Sequence, residues 1–110
     1  MRAHITEYLD VDLDRTTWCC RCCGGELVAA EENYKRGCMV YDRDPREIHR
    51  PTVEGAAYSL APDPEYCRIL EYYCPHCFVM LETEYLPPGH PINHDIRLDI
   101  DALKRQYAAK

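Results

Sequence analysis

The chain has 110 residues, with 13 Lys and Arg against 19 Asp and Glu and a formal net charge of -6. That length suits one small domain, and an acidic chain without a Lys/Arg block offers nothing to attract a phosphate backbone. One Phe, one Trp and nine Tyr, with Leu, Ile and Val sparse, predict an interior too small to hold the domain unaided, and the eight Cys point to what supplements it.

In chain order, residues 3–13 alternate weakly, with Ile5, Leu9, Val11 and Leu13 as apolar points. They predict a strand or extended arm within an N-terminal segment, 1–17. Glu7, Asp10, Asp12 and Asp14 are not what a secretory leader carries, and no apolar run approaches a membrane span. The expectation is a cytoplasmic chain, and in a reducing cytoplasm clustered cysteines are metal ligands rather than disulfides.

Residues 18–30 carry the first cluster, Cys19-Cys20-Arg21-Cys22-Cys23, followed by Gly24-Gly25 and a short strand at 26–30. Strand, cysteine turn, strand is the outline of a metal-binding knuckle. Its register is twofold, since Cys19/Cys22 and Cys20/Cys23 have the same spacing. Only the second pair is followed at once by a glycine, which lets the backbone turn so that its amides face the sulfurs. Cys20 and Cys23 are therefore the expected ligands, with Cys19 and Cys22 facing outward or into the core.

Residues 31–66 show no steady period and hold Pro45, Pro51, Pro62 and Pro64 with scattered Tyr34, Tyr41, Tyr58 and Tyr66. One helical turn is expected at 44–49, with Asp44 as N-cap and Pro45 at the first helical position. A long irregular connection is unusual inside a compact domain, and tyrosine favours interfaces. The segment reads as an arm laid on a partner.

Residues 67–86 form the second knuckle hairpin. Arg68–Tyr73 is a strand, Cys74-Pro75-His76-Cys77 the turn, and Phe78–Tyr85 the return strand. Alternation puts Val79, Leu81, Thr83 and Tyr85 on one face and Glu82 and Glu84 on the other. Pro87-Pro88-Gly89-His90-Pro91 ends the strand. The C-terminal segment, 87–110, is an arm and a short helix capped by Asp99, with Ile100, Leu103 and Tyr107 on one face. Residues 86–100 are read, like 31–66, as lying on neighbours.

Two Cys-x-x-Cys steps at strand–turn–strand sites can place four thiolates at the corners of a tetrahedron, the set a structural zinc ion takes. The expected site is Cys20, Cys23, Cys74 and Cys77 around one Zn²⁺, which would bring the net charge to -6 - 4 + 2 = -8. The expected fold is small and mainly β, a zinc ribbon of rubredoxin-like knuckles with long irregular arms and a short C-terminal helix, in one domain over 1–110. Iron in the same cage would make an electron carrier. Cys74-Pro75-His76-Cys77 also has disulfide-oxidoreductase spacing, but that chemistry wants its first thiol at a helix N-terminus, and strand-like residues follow here. Cys38 and Cys67 fit neither cluster and read as small core residues. A second metal site at His90 and His94 is opposed by Pro91 between them. Phosphate-loop, dinucleotide and nucleophile-elbow motifs are absent, so no catalytic or cofactor-binding residue is expected in this chain.

Several steps resemble one family. Pro62-Asp63-Pro64-Glu65-Tyr66-Cys67, Tyr72-Tyr73-Cys74-Pro75-His76-Cys77, Pro87-Pro88-Gly89-His90-Pro91 and His94-Asp95-Ile96-Arg97-Leu98-Asp99-Ile100-Asp101 are similar to the small gamma subunit of ATP-dependent acetone and acetophenone carboxylases. Glu32-Asn33-Tyr34-Lys35 and Arg43–Arg50 are similar too, so the resemblance covers most of 18–101. The short length favours the acetophenone type. The resemblance implies a cytosolic complex that uses ATP to activate bicarbonate and a ketone and joins them into a 3-oxo acid. The nucleotide and ketone sites belong to larger partner subunits. This chain would be their non-catalytic zinc-binding component, stabilising the assembly, with ligands at Cys20, Cys23, Cys74 and Cys77. The competing reading is a free-standing zinc-ribbon adaptor in a nucleic-acid or transcription complex, which wants the basic stripe this chain lacks.

Overall fold

Alternating burial builds the first sheet. The computed structural model describes residues 1–48 and 65–109. Strands β1 (Arg2–His4), β2 (Leu9–Asp12), β3 (Thr17–Cys20) and β4 (Glu26–Ala29) pair antiparallel in the order β1-β2-β3-β4. Ala3 lies opposite Val11, and Val11 opposite Trp18. These three and Leu9 are buried, which gives the sheet one apolar face. The weak alternation of 3–13 is therefore a hairpin of two short strands. Asp12 fixes the next turn by accepting the N–H groups of Asp14 and Arg15 at 3.0 and 3.1 Å. The Arg15 N–H in particular holds the Asp12 carboxyl below its ordinary range.

Within the stretch expected to be irregular, a 3₁₀ turn (Tyr34–Gly37) precedes strand β5 (Met39–Arg43). Asn33 caps the turn, accepting the Lys35 N–H at 3.3 Å. β5 lacks a readable alternation because Met39, Val40, Tyr41 and Asp42 are all exposed on an edge strand. Helix α1 (Pro45–Ile48) starts as the sequence predicts, with the Arg46 N–H donating to the Asp44 carboxylate at 2.9 Å. The middle of the expected arm, residues 49–64, lies outside the described residues.

β6 (Arg68–Tyr73) is central in a second antiparallel sheet, β5-β6-β7, with β7 spanning Met80–Leu86. The expected facing of β7 holds for Glu82 to Tyr85 and is corrected at Leu81. Tyr73 pairs with Met80 while Tyr72 pairs with Glu82. Leu81 is the extra residue of a β-bulge, which re-aims the strand. Beyond it, Glu84 and Leu86 share the inner face with Leu70 and Tyr72, and Thr83 and Tyr85 lie on the outer one. On that outer face Glu71 is buried, with its Oε1 accepting from Arg43 Nε and Nη2 at 3.1 and 3.0 Å and from the Tyr73 hydroxyl at 2.8 Å. Burial alone would raise the Glu71 carboxyl; these donors outweigh it and hold it below its ordinary range. A carboxyl lowered on folding stabilises the native state above its unfolded pKa, and that contribution is lost as pH falls through the folded value. Glu71→Gln should therefore lower stability by about 2 kcal/mol at neutral pH and flatten the acid limb of a urea-midpoint-versus-pH curve.

The C-terminal segment is anchored on one side only. Residues 93–98 lie along their own chain, while Asn93, Asp95 and Arg97 remain exposed. Asn93 O accepts from Asn33 and Lys35, Asp95 accepts from Tyr34, and Ile96 and Leu98 pack on the first core. Helix α2 (Ile100–Ala108) is capped by Asp99, which accepts the Ala102 N–H at 3.0 Å. Ile100, Leu103 and Tyr107 face the same core, as their spacing predicts.

Candidate metal centre

The two hairpins end in turns built alike. In the first, Cys20 N donates to Gly25 O at 2.9 Å and Gly24 N to Cys20 O at 2.8 Å. In the second, Cys74 N donates to Val79 O and Phe78 N to Cys74 O, both at 2.9 Å. A left-handed residue closes each turn: Gly24 at φ 76° and Phe78 at φ 64°. Glycine takes that conformation freely and phenylalanine does not. Amides in each turn aim at sulfur, among them Gly25 N at Cys23 Sγ, 3.3 Å, and His76 N at Cys74 Sγ, 3.4 Å.

The tips meet. Cys20 Sγ lies 3.8 Å from Cys77 Sγ, Cys23 Sγ lies 3.7 Å from Cys74 Sγ, and all four sulfurs fall within 4.8 Å of one another. A tetrahedron of sulfurs each ~2.3 Å from zinc has edges of about 3.8 Å, so the donor set fits that ion. The surroundings of the sulfurs differ. Burial pushes the Cys20 thiol up to about 12. At Cys74 burial acts the same way, but the N–H groups of Cys77 and His76 and the neighbouring thiols win, bringing it down to about 7. The fold is thus small and mostly β, two antiparallel sheets and a short helix, with a zinc-ribbon-like cysteine cluster where the hairpins face each other.

Other singled-out residues sit apart from the cluster. Cys19 is buried, its Sγ against Thr17 O, and Cys22 is exposed. Cys38 and Cys67 are half-buried, and Cys38 packs against both cores. His90 turns onto Pro91 O at 2.7 Å. Among the described residues no second group of three or more metal-ligating side chains forms, so His90 and His94 build no site. His76 lies outside the four-sulfur group and latches the two tips together. Its Nε2 is 2.7 Å from Glu26 O, and its ring lies over Gly25, where a Cβ would sit 2.4 Å from the ring. Gly25→Ala should displace that ring and separate the tips, reducing metal affinity roughly 10-fold, in line with other changes just outside a ligand set. Competition with a chromophoric chelator measures this.

One cluster had no sequence signal. Lys35 is a charged side chain only 2% exposed. Its Nζ donates to Glu84 Oε2 at 2.9 Å and Asn93 O at 3.0 Å and lies 3.4 Å from Asp95 Oδ1. The Tyr72 and Tyr34 rings flank it at 5.2 and 5.8 Å. Glu84 also accepts the Tyr72 hydroxyl. This cluster ties the inner face of the second sheet to the 93–95 segment and to the first core.

The model of the acetone carboxylase gamma subunit family matches residues 3–108. The chain belongs to that family. It is 57% identical over 103 residues to a protein of Aromatoleum aromaticum named acetophenone carboxylase beta subunit, covering 94% of this chain and 79% of the relative. It is 30% identical over 92 residues to the acetone carboxylase gamma subunit of Xanthobacter autotrophicus, covering 82% of this chain and 52% of that protein. The family resemblance read from the motifs is thus borne out, and the acetophenone relative carries the designation beta rather than gamma. No helix among the described residues is long and apolar enough to cross a membrane.

Proposed function

We propose that this chain is the zinc-binding structural component of a cytoplasmic, ATP-dependent ketone carboxylase, holding larger catalytic subunits together while they convert a ketone and bicarbonate to a 3-oxo acid. The observation that supports the metal is the spacing of four sulfurs at the edge length of a zinc–thiolate tetrahedron. Cys20, Cys23, Cys74 and Cys77 would fill all four positions, and a closed set of thiolates supplies structure and no Lewis-acid chemistry. Catalysis and ATP use then fall to the partners. The higher identity to the acetophenone relative, 57% against 30%, supports an aromatic ketone as the complex's substrate. An acidic chain of net charge -6 argues against the nucleic-acid adaptor.

Metal analysis and native mass, taken on one preparation, test both halves. One zinc per chain, no visible colour and co-elution with larger subunits are expected. A red, iron-bearing protein would replace the structural reading with an electron carrier. A lone small species from the native host would remove the assembly role.

A further inference from the structure

The register of the second sheet puts three rows of side chains on its outer face: Met39–Tyr73–Met80, Tyr41–Glu71–Thr83 and Arg43–Ile69–Tyr85. The central strand is closed, with Ile69 and Glu71 buried. The edge strands are partly exposed: Met39 is 41% exposed, Tyr41 46%, Met80 42% and Tyr85 49%. Charge is nearly spent on this face, because Arg43 is held by Glu71 and by Glu47 and lies against the Tyr41 ring at 4.5 Å. Tyr and Met around one internally satisfied Arg is the composition of a protein–protein interface core. Two residues before Met80, at the knuckle tip, stands Phe78. It is 64% exposed and held at φ 64°, where the sister turn has glycine. An exposed phenylalanine contributes little to the fold from that position, and its backbone is strained.

Area and charge decide what covers the face. At roughly 200 Å² for a large side chain, aromatic or Met, the four partly exposed side chains leave on the order of 350 Å², the size of patch that is often functional on a monomer. Two copies of this chain placed face to face would bury about twice that, which falls in the range of incidental contacts and short of the ~1,200–2,000 Å² of a stable pair. They would also oppose two chains of net charge -6. A larger partner can extend past the face onto the knuckle tip and the β5 edge, which no strand among the described residues pairs, and a basic rim on it would meet an acidic chain favourably.

We propose that the outer face of the β5-β6-β7 sheet, with Phe78 beside it, is the surface that docks a larger carboxylase subunit, one that presents an apolar patch rimmed by Lys or Arg. This rests on the assembly role proposed above and names the surface that performs it.

The test uses the full-length, metal-loaded chain and the larger subunits, with binding followed by titration and native mass. Tyr41→Glu/Met80→Glu should keep one metal per chain and a wild-type circular-dichroism spectrum while binding at least 100-fold more weakly. Phe78→Gly should raise the melting temperature of the isolated chain and still weaken binding about 10-fold. Wild-type affinity in the folded double variant would overturn the docking face and leave the assembly role standing. No binding by the wild-type chain would remove the assembly role itself. A wild-type homodimer that the double variant converts to a monomer would assign the face to a second copy and overturn the proposal.

Discussion

Cys74→Ser/Cys77→Ser will neither retain metal nor fold. Each hydroxyl replaces one thiolate of the four-sulfur cluster, and the second hairpin then has no hold on the first across the ion. Structural zinc contributes ~10–16 kcal/mol in small metal-folded domains, as much as or more than the ~5–15 kcal/mol net stability of a whole domain. Little else joins the knuckle tips: the described polar link between them is His76 to Glu26, worth about 1 kcal/mol. Circular dichroism of the double variant should show loss of the native β spectrum, with less than a tenth of the zinc retained. A chelator applied to the wild-type chain should produce the same spectrum. Cys19→Ser and Cys22→Ser serve as contrasts. Both sulfurs lie outside the cluster, so both variants should keep full metal content, with Cys19→Ser costing about 1 kcal/mol for its buried position.

The second large effect is expected at Lys35. Lys35→Met keeps the length of the side chain and removes its charge. Glu84 and Asp95 are then left facing each other without the cation between them, and Glu84 is only 13% exposed. Breaking a buried ion cluster on one side costs about 3–5 kcal/mol, and the loss of the ammonium between the Tyr72 and Tyr34 rings adds to it. In a domain of this size the melting temperature should fall by roughly 15 °C or more at saturating zinc. Lys35→Met/Glu84→Gln should recover about 1–3 kcal/mol of the loss, because the second change removes the orphaned charge. A Lys35→Met variant within 1 kcal/mol of wild type would mean that the cluster is not what joins the sheets.

How much was legible in the chain depended on the range of the rule. Knuckles are local: a Cys-x-x-Cys step, a following glycine and flanking strand formers lie within ten residues, and Cys20, Cys23, Cys74 and Cys77 could be named before any coordinates. The caps at Asp44 and Asp99 are local in the same way, and both helices begin where they should. β5 was missed because an edge strand open on both faces needs no alternation, and Met39-Val40-Tyr41 carries none. In β7 alternation grouped Glu82 with Glu84 and Thr83 with Tyr85 correctly, but the bulge at Leu81 parts it from Thr83 and Tyr85, since a shift of one exchanges the two faces of a strand. Lys35 gave no warning at all. Its partners Glu84 and Asp95 lie 49 and 60 residues away in the chain, and nothing in Glu32-Asn33-Tyr34-Lys35 distinguishes a buried ammonium from a solvated one. Of the proposed docking face, Tyr41 lay in the stretch read as partner-binding; that Met80 shares a face with it follows only from the pairing of β5 and β7 with β6.

In the function proposed above, one zinc ion held by sulfur from both hairpins substitutes for the interior this chain lacks. X-ray absorption at the zinc edge, combined with an anomalous map from crystals of the metal-loaded chain, is the decisive measurement. One peak per chain is expected, bonded at about 2.3 Å to Cys20, Cys23, Cys74 and Cys77 and to no oxygen or nitrogen atom. A peak ligated by Cys19 or Cys22, or no peak between the hairpins of a folded chain, would contradict that proposal.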